Sequence, residues 1–266
     1  MQYFAVDAFT DKLFTGNPAG VCLLEAWLPN ETLQSIAAEN NLSETAFLVR
    51  NESYYDLRWF TPELEVDLCG HATMASAFIL FNFIETKANE LRFMTKSGLL
   101  TVTRADGEMI WMDFPARPAV PVPNYQSLIA AFGTDDFQTY RSNDIMAVFS
   151  KASDVEFMDP DFMRIKDVKN EAGMPSDDYG VIVTAPGIDC DFVSRFFAPS
   201  VGVFEDPVTG RAHCVLTPYW AERLGKTSLT ARQLSARGGQ LWCEAAGDRV
   251  RIGGQARLYL SGQLHV

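Results

Sequence analysis

The sequence predicts an α+β protein built as two similar barrel-like β rolls, each wrapped around a central helix. Three observations carry this prediction: an internal echo at near-constant spacing, a proline-rich stretch between the echoed segments, and one largely apolar helical segment in each half. A length of 266 residues fits one large domain or two of about 130. With 47% hydrophobic and 21% charged residues the chain can bury full cores, which excludes a disordered, collagen-like or disulfide-scaffold protein.

The echo begins at Arg58-Trp59-Phe60-Thr61-Pro62, which returns 137 residues later as Arg195-Phe196-Phe197-Ala198-Pro199. In the same register Leu64 meets Val201, Val66 meets Val203, and Cys69-Gly70 meets Asp206-Pro207. Near an offset of 141, the segments from Lys96 and from Ala236 share one plan: a glycine, a strand-like run, a turn with Asp and Gly, and another strand-like run. Two copies in the same order predict two similar domains facing each other across a pseudo-twofold axis. Pro115 to Pro123, with Pro118 and Pro121 inside, cannot continue a helix or a central strand and reads as the linker.

In chain order, Asn30 is expected to cap a helix that carries Leu33, Ile36 and Ala37 on one face, and Asn40-Asn41 to end it. A strand from Thr45 to Arg50 follows, so Glu44 sits at a helix-to-strand junction. The helix starting near Gly70 is apolar on nearly every side through Ile84, as suits a helix enclosed by sheet. Its counterpart, near Thr209 to Leu224, stops at Gly225, a suitable left-handed cap, and Pro218 is expected to kink it.

Composition narrows the function. A formal charge of -12, from 22 Lys+Arg against 34 Asp+Glu, repels phosphate backbones, so nucleic acid is not an expected partner. No apolar run reaches the 18 or so residues a bilayer span needs, so no membrane partner is expected either. The opening MQYFAVDAFTDK lacks the pattern of a signal peptide, and the expected location is cytoplasmic. Five scattered cysteines without a C-x-x-C pair argue against zinc fingers and disulfide frameworks, and most read as inert core thiols. The dinucleotide, P-loop and serine-hydrolase signatures are absent, and three distant histidines make a weak metal signal. The expected chemistry is acid/base work without a cofactor or metal.

The segment Asp67-Leu-Cys-Gly-His-Ala-Thr73 places Cys69 and His71 at a strand-to-helix turn, where unpaired backbone N–H groups and the helix dipole can hold an anion and lower a thiol pKa. Its counterpart, Glu205-Asp-Pro-Val-Thr-Gly-Arg-Ala-His213, puts two adjacent carboxylates at the equivalent turn. If the halves face each other, both helix N-termini point into one cleft. A small anionic substrate, a carboxylate, fits there between proton-carrying groups. Each residue also has a plainer reading: His71 as a capping or core histidine, Cys69 as packing, Asp206 as a helix cap, Glu44 as a solvated loop residue.

Together Asp7 to Leu24 (DAFTDKLFTGNPAGVCLL), Leu42 to Val49 (LSETAFLV), Arg58 to Thr73 (RWFTPELEVDLCGHAT), Arg195 to Gly210 (RFFAPSVGVFEDPVTG) and Arg237 to Leu241 (RGGQL) resemble the PhzF-like isomerases, which share the fold of diaminopimelate epimerase. The branch that includes the phenazine-biosynthesis-like domain proteins is especially similar. The resemblance implies an N-terminal roll over residues 1–115, completed by about 257–266, and a C-terminal roll over 116–256, with the active site in the cleft between them. It also implies a homodimer that uses no cofactor. It assigns the general acid/base to Glu44, with His71 and Asp206 holding and polarising the substrate, and backbone N–H groups around Gly70, Thr209 and Gly210 binding the anion. One departure stands out: Arg211 occupies a position that is usually serine in the family. There it could pair with an anionic substrate group, block the pocket or point to water. Two other readings stay open, an amino- or imino-acid epimerase with Cys69 opposite Asp206 or Glu205, and a catalytically lapsed binding or interaction protein.

Overall fold

A computed structural model of the chain describes residues 1–176 and 179–266. The fold is mixed α and β, with many short strands and few helices. It divides into two compact units, Met1–Phe114 with Arg251–Val266, and Pro115–Val250. No helix among the described residues is long and apolar enough to cross a membrane.

The first unit opens with β1 (Gln2–Ala8) and β2 (Asn17–Leu24), followed by α1 (Asn30–Asn40), β3 (Glu44–Arg50), β4 (Tyr55–Phe60) and the short β5 (Glu65–Val66). Then come α2 (Gly70–Ile79), β6 (Glu90–Thr95), β7 (Gly98–Ala105) and β8 (Met109–Pro115). The second unit contains β9 (Val120–Val122), α3 (Gln126–Phe132), β10 (Gln138–Arg141), β11 (Ile145–Val148), α4 (Ala152–Glu156), α5 (Phe162–Ala172), β12 (Val181–Pro186) and β13 (Phe192–Phe197). It continues with α6 (Gly210–Leu224), β14 (Ser228–Gln233) and β15 (Gly239–Ala246); β16 (Arg249–Gly254) leads out, and β17 (Ala256–Gln263) returns to the first unit.

The pairing pattern is duplicated. In the first unit β1–β2 is antiparallel, β2–β3 parallel, β3–β4 antiparallel, β4–β6 parallel and β6–β7 antiparallel. In the second, β10–β11 through β14–β15 repeat the same alternation. Parallel neighbours need a crossover, and helices supply it in matching places: α1 and α2 in one unit, the α4–α5 pair and α6 in the other. The strand that follows each copy's last hairpin segment leaves that copy. β9 pairs with β10 in the second unit, and β17 pairs with β1 in the first. The stretch Pro115–Pro123 is therefore more than a connector, because Val120–Val122 forms a strand that pairs on β10. Pro121 is tolerated because β9 is a short strand at the margin of the pairing pattern, where a missing N–H breaks no central ladder.

Local chemistry explains the element ends. Helix α1 buries Leu33, Ile36 and Ala37 and ends on Asn41 in the left-handed region at φ 49°. Its cap position is Pro29 and not Asn30, whose side-chain oxygen instead accepts from Arg58 Nη2 at 3.0 Å. Helix α2 is buried on nearly all sides and touches β1, β2, β3 and β17. The all-round apolar pattern overstates its last turn: Leu80–Ile84 winds as a π turn, and Asn82, Phe83 and Ile84 face solvent. Helix α6 runs unbroken through Pro218. A proline frees the carbonyl four residues earlier, that of Cys214, and the Arg117 N–H fills it at 2.9 Å. Gly225 closes α6 at φ 65°.

The echoed arginines make the same contacts in both copies. Arg58 binds Glu65 in a bidentate pair at 2.7 and 2.8 Å and lies 5.1 Å from the Phe60 ring. Arg195 binds Glu205 at 2.7 and 3.0 Å and lies 5.0 Å from Phe197. It also donates to the carbonyls of Val155 and Met158 at 3.2 and 2.6 Å. Loss of a mostly buried, multiply bonded arginine strands a carboxylate and two carbonyls, whereas an exposed pair contributes little. Arg195→Ala should therefore lower unfolding free energy by about 2–4 kcal/mol, and Arg92→Ala, whose Glu90 pair is exposed, by less than about 1 kcal/mol. Urea titration of both variants checks this; equal losses would refute the clamp.

Candidate active site

In the first unit the functional side chains converge on the start of α2. Cys69 is its cap residue, in extended backbone, and makes no side-chain capping bond; His71 lies in the first turn. Glu44 is the first residue of β3, and Asn17 the first of β2. These two strands pair in parallel, which brings their beginnings to one edge. Gly16 makes the entry to Asn17 possible: it sits at φ 70°, and a Cβ there would lie 2.2 Å from the Ala8 carbonyl oxygen.

His71 is the hub. Its Nε2 lies 3.0 Å from Glu44 Oε2, its Nδ1 is 3.2 Å from Asn17 Nδ2, and Cys69 Sγ is 3.5 Å from Nδ1. In the protonated ring both nitrogens donate, Nε2–H toward Glu44 and Nδ1–H toward the Asn17 amide, which turns its oxygen to accept. Glu44 Oε2 is buried and has no aligned hydrogen-bond donor, so the 3.0 Å contact with His71 is an ion pair of imperfect hydrogen-bond geometry. Burial alone pushes the His71 imidazole down, but its interactions with Cys69 and then with Glu44 outweigh it and hold the pKa well above 6.5. Of those neighbours, Glu44 carries the effect near neutral pH, because burial and the Glu44 charge push the Cys69 thiol up to about 11 and leave it uncharged. The helix start thus does not lower this thiol's pKa, contrary to expectation; desolvation outweighs the dipole.

In the second unit, Thr209 caps α6 and Asp206 lies three residues before it. The Thr209 hydroxyl donates to Asp206 Oδ2 instead of capping the helix. Buried Gln233 holds the turn: its Oε1 accepts from Thr209 N–H at 2.9 Å, and its Nε2 donates to the Asp206 carbonyl at 2.7 Å. The helix starts also correct the register of the echo. Cys69 and Thr209 occupy equivalent cap positions, as do Gly70 and Gly210, so Asp206 is not the counterpart of Cys69. The second copy's turn is three residues longer and includes the 3-10 turn Pro199–Val201.

Arg211 is then the counterpart of His71, and its partner Asp144 stands just before β11 as Asn17 stands at the start of β2. The guanidinium binds Asp144 at 2.7 and 3.1 Å, and Asp144, fully buried, also accepts from Gly180 N–H at 2.8 Å. Arg211 therefore neutralises a buried carboxylate. Glu205, weighed as a proton carrier, is held by Arg195. Asn17, Asp144 and Gln233 were not singled out from the sequence; only the run Gly16-Asn17-Pro18 offered a signal, as a turn before a strand.

The family model for phenazine biosynthesis-like proteins, PhzC-PhzF, matches residues 6–262. The chain belongs to this family. It is 50% identical over 266 residues to an uncharacterized isomerase of Pseudomonas aeruginosa, covering 100% of this chain and 99% of the relative. A phenazine biosynthesis-like domain-containing protein of Homo sapiens is 42% identical over 289 residues, covering 99% of each chain. The crystal structure of a PhzF-family phenazine biosynthesis protein from Enterococcus faecalis superposes with a TM-score of 0.93 at 46% identity, covering 100% of this chain and 99% of that one. The family is of isomerase type, and the fold is the one this chain adopts.

The two buried histidines titrate in opposite directions. Burial pushes His213 down to about 4, although its ring nitrogen Nδ1 lies 2.8 Å from the Thr209 carbonyl. Protonated His71 adds stability that is fully present below about pH 6.5 and lost as pH rises through its elevated pKa. Neutral His213 adds stability that is present above about pH 6.5 and lost as pH falls through about 4. Imidazole NMR at pH 7 should find His71 protonated and His213 neutral, and Glu44→Gln should bring His71 down; a neutral His71 in the wild type would dissolve the assigned pair.

Proposed function

We propose that this chain is a cofactor-independent isomerase that moves a proton between carbons of a small carboxylated metabolite. The observation that carries the reading is the pair of buried His71 and partly exposed Glu44 at the uncapped start of α2. In this reading the Glu44 carboxylate takes a proton from one carbon and returns it to another, so no electrons leave the substrate and no redox partner is needed. The charge that develops on the substrate is enolate-like. N–H groups of the first α2 turn near Gly70 and the His71 imidazolium face that charge with fixed positive ends, where such donors contribute most. Asp206, aimed by Thr209 and Gln233, and the N–H groups near Thr209 and Gly210 are assigned to holding the substrate. Arg211 is left out of that set because Asp144 engages it.

Cys69 plays no part as a base here. A thiol pushed up to about 11 supplies too little thiolate near neutral pH, which weighs against an epimerase that relies on it. The test uses a panel of small carboxylates with an acidic C–H, incubated in heavy water and read by NMR. Wild type should incorporate deuterium into at least one, and Glu44→Gln should be slower by about 10²–10⁴-fold, the usual contribution of a positioned acid/base. Equal incorporation by both would remove Glu44 from the mechanism. Asp206→Asn should raise KM more than it lowers kcat if its part is to hold substrate.

A further inference from the structure

We infer that Glu44, Cys69 and His71 also form a three-ligand site for a borderline-soft divalent cation such as Zn2+, and that the bound ion takes the acid/base pair out of service. The inhibitory half rests on the proton-transfer reading; the binding half does not. One ligand atom from each residue, a carboxylate oxygen, a thiol sulfur and an imidazole nitrogen, lies within 4.8 Å of the others, and this is the one such His/Cys/Asp/Glu group among the described residues. That donor set suits Zn2+ and excludes Mg2+ and Ca2+, which take oxygen ligands.

Two of the three ligands already stand near ion-binding distance, and the third needs one side-chain rotation. Tetrahedral Zn2+ with ordinary bond lengths needs nitrogen and oxygen ligands about 3.3 Å apart and nitrogen and sulfur about 3.6 Å apart. His71 Nε2 lies 3.0 Å from Glu44 Oε2, near that value, whereas Cys69 Sγ lies 3.5 Å from Nδ1 and 4.0 Å from Nε2, so the Cys69 side chain must swing toward Nε2 for the three to share one ion. Asn17 completes the arrangement from behind. Once Nε2 binds the ion, Nδ1 keeps its proton and donates it to the Asn17 amide oxygen, the usual way a ligating histidine is oriented. Entry is from the side of Glu44, whose side chain is 18% exposed while that of His71 is 5% exposed.

The exchange balances in protons and charge. Zn2+ displaces the thiol proton of Cys69 and one proton of the His71 imidazolium, both released to water. A divalent ion then sits with one thiolate, one carboxylate and a neutral imidazole, so the loaded site has no net charge, which suits its burial. The fourth position stays open to water or to a small carboxylate. With its carboxylate oxygen and the imidazole lone pair engaged, the pair can no longer pass a proton.

The experiment titrates the reduced protein with Co2+, then measures Zn2+ affinity by competition with a chromophoric chelator. The wild type should take up one equivalent, with the thiolate-to-metal charge-transfer absorption of a Co2+–sulfur bond and no response to Mg2+ or Ca2+. Cys69→Ser should lose that absorption and weaken Zn2+ binding by at least about 100-fold, and Asn17→Ala should weaken it by about 10–100-fold. Cys190→Ser, which removes a half-buried thiol elsewhere, should keep both signals. Glu44→Gln changes a partly exposed residue and provides a readout if Cys69→Ser does not fold: it should retain the charge-transfer band with affinity reduced about tenfold or more. A wild type without a thiolate band at metal saturation, or Cys69→Ser with wild-type affinity, would overturn the proposal. If the wild type binds Zn2+ but never exchanges substrate protons, the isomerase reading fails while this site stands.

Discussion

Both copies of the fold depend on one arrangement: an arginine in the strand before the central helix grips a glutamate in the turn that leads to it. The turn must pass from extended backbone to the first helical residue while its N–H groups remain uncapped by their own side chains. Backbone bonds pin part of each segment, through β5 on β4 in one copy and Asp206 N–H on the Phe196 carbonyl in the other. Arg58 and Arg195 add the side-chain constraint through rigid two-pronged pairs with Glu65 and Glu205, backed by a phenylalanine ring two residues on in each strand. A lysine would give one flexible contact in place of a fork, and would leave the turn free to rotate. The position of Asp206 follows from this, since it is covalently next to the held Glu205.

Duplication left the two copies with the same scaffold and different electrostatics. At the second position of each central helix, one copy has His71 and the other Arg211. At the strand edge facing it, one has Asn17 with Glu44 and the other has Asp144 with the Gly180 N–H. The second combination is closed: a permanently charged guanidinium satisfies a fully buried carboxylate by two bonds. The first is open, because a carboxylate and an imidazole can each hold or release the shared proton. One copy therefore holds a pair able to exchange a proton, and the other keeps the framework at the equivalent place with a held aspartate five residues before its arginine.

Much of this was legible in the sequence where a local rule decides the outcome. Asn41 and Gly225 end helices because they tolerate the left-handed region, and the α1 face of Leu33, Ile36 and Ala37 follows from spacing alone. The echo of R-x-F-x-P was visible because it encodes the clamp itself. Other features depend on partners distant in the chain. Val120–Val122 reads as a connector until β10 is placed beside it, and how α6 satisfies the carbonyl that Pro218 frees shows only once Arg117 is placed against it. A fixed offset of 137 carried past Pro199 misaligned Cys69 with Asp206, because a three-residue insertion in a turn leaves no trace in hydrophobic pattern. Asn17 was hidden for a related reason: a small amide at a strand start looks like turn chemistry, and only the parallel pairing of β2 with β3 shows that it faces His71.

The behaviour of Cys69 shows which term governs the site. A helix start favours a thiolate, and a nearby cationic imidazole favours it further. Both are present, yet the thiol is pushed up to about 11. Removing the sulfur from water disfavours its anion, and the Glu44 carboxylate already occupies the role of negative partner to His71, so a second anion in the same buried space is opposed by the first. The same competition explains why His71 is held protonated despite burial that alone would neutralise it. In a volume this small only one negative charge is stabilised at a time, unless a divalent cation is added to it. The carboxylate, more acidic by several orders of magnitude as a free group, takes that place and leaves the thiol as a neutral wall of the site.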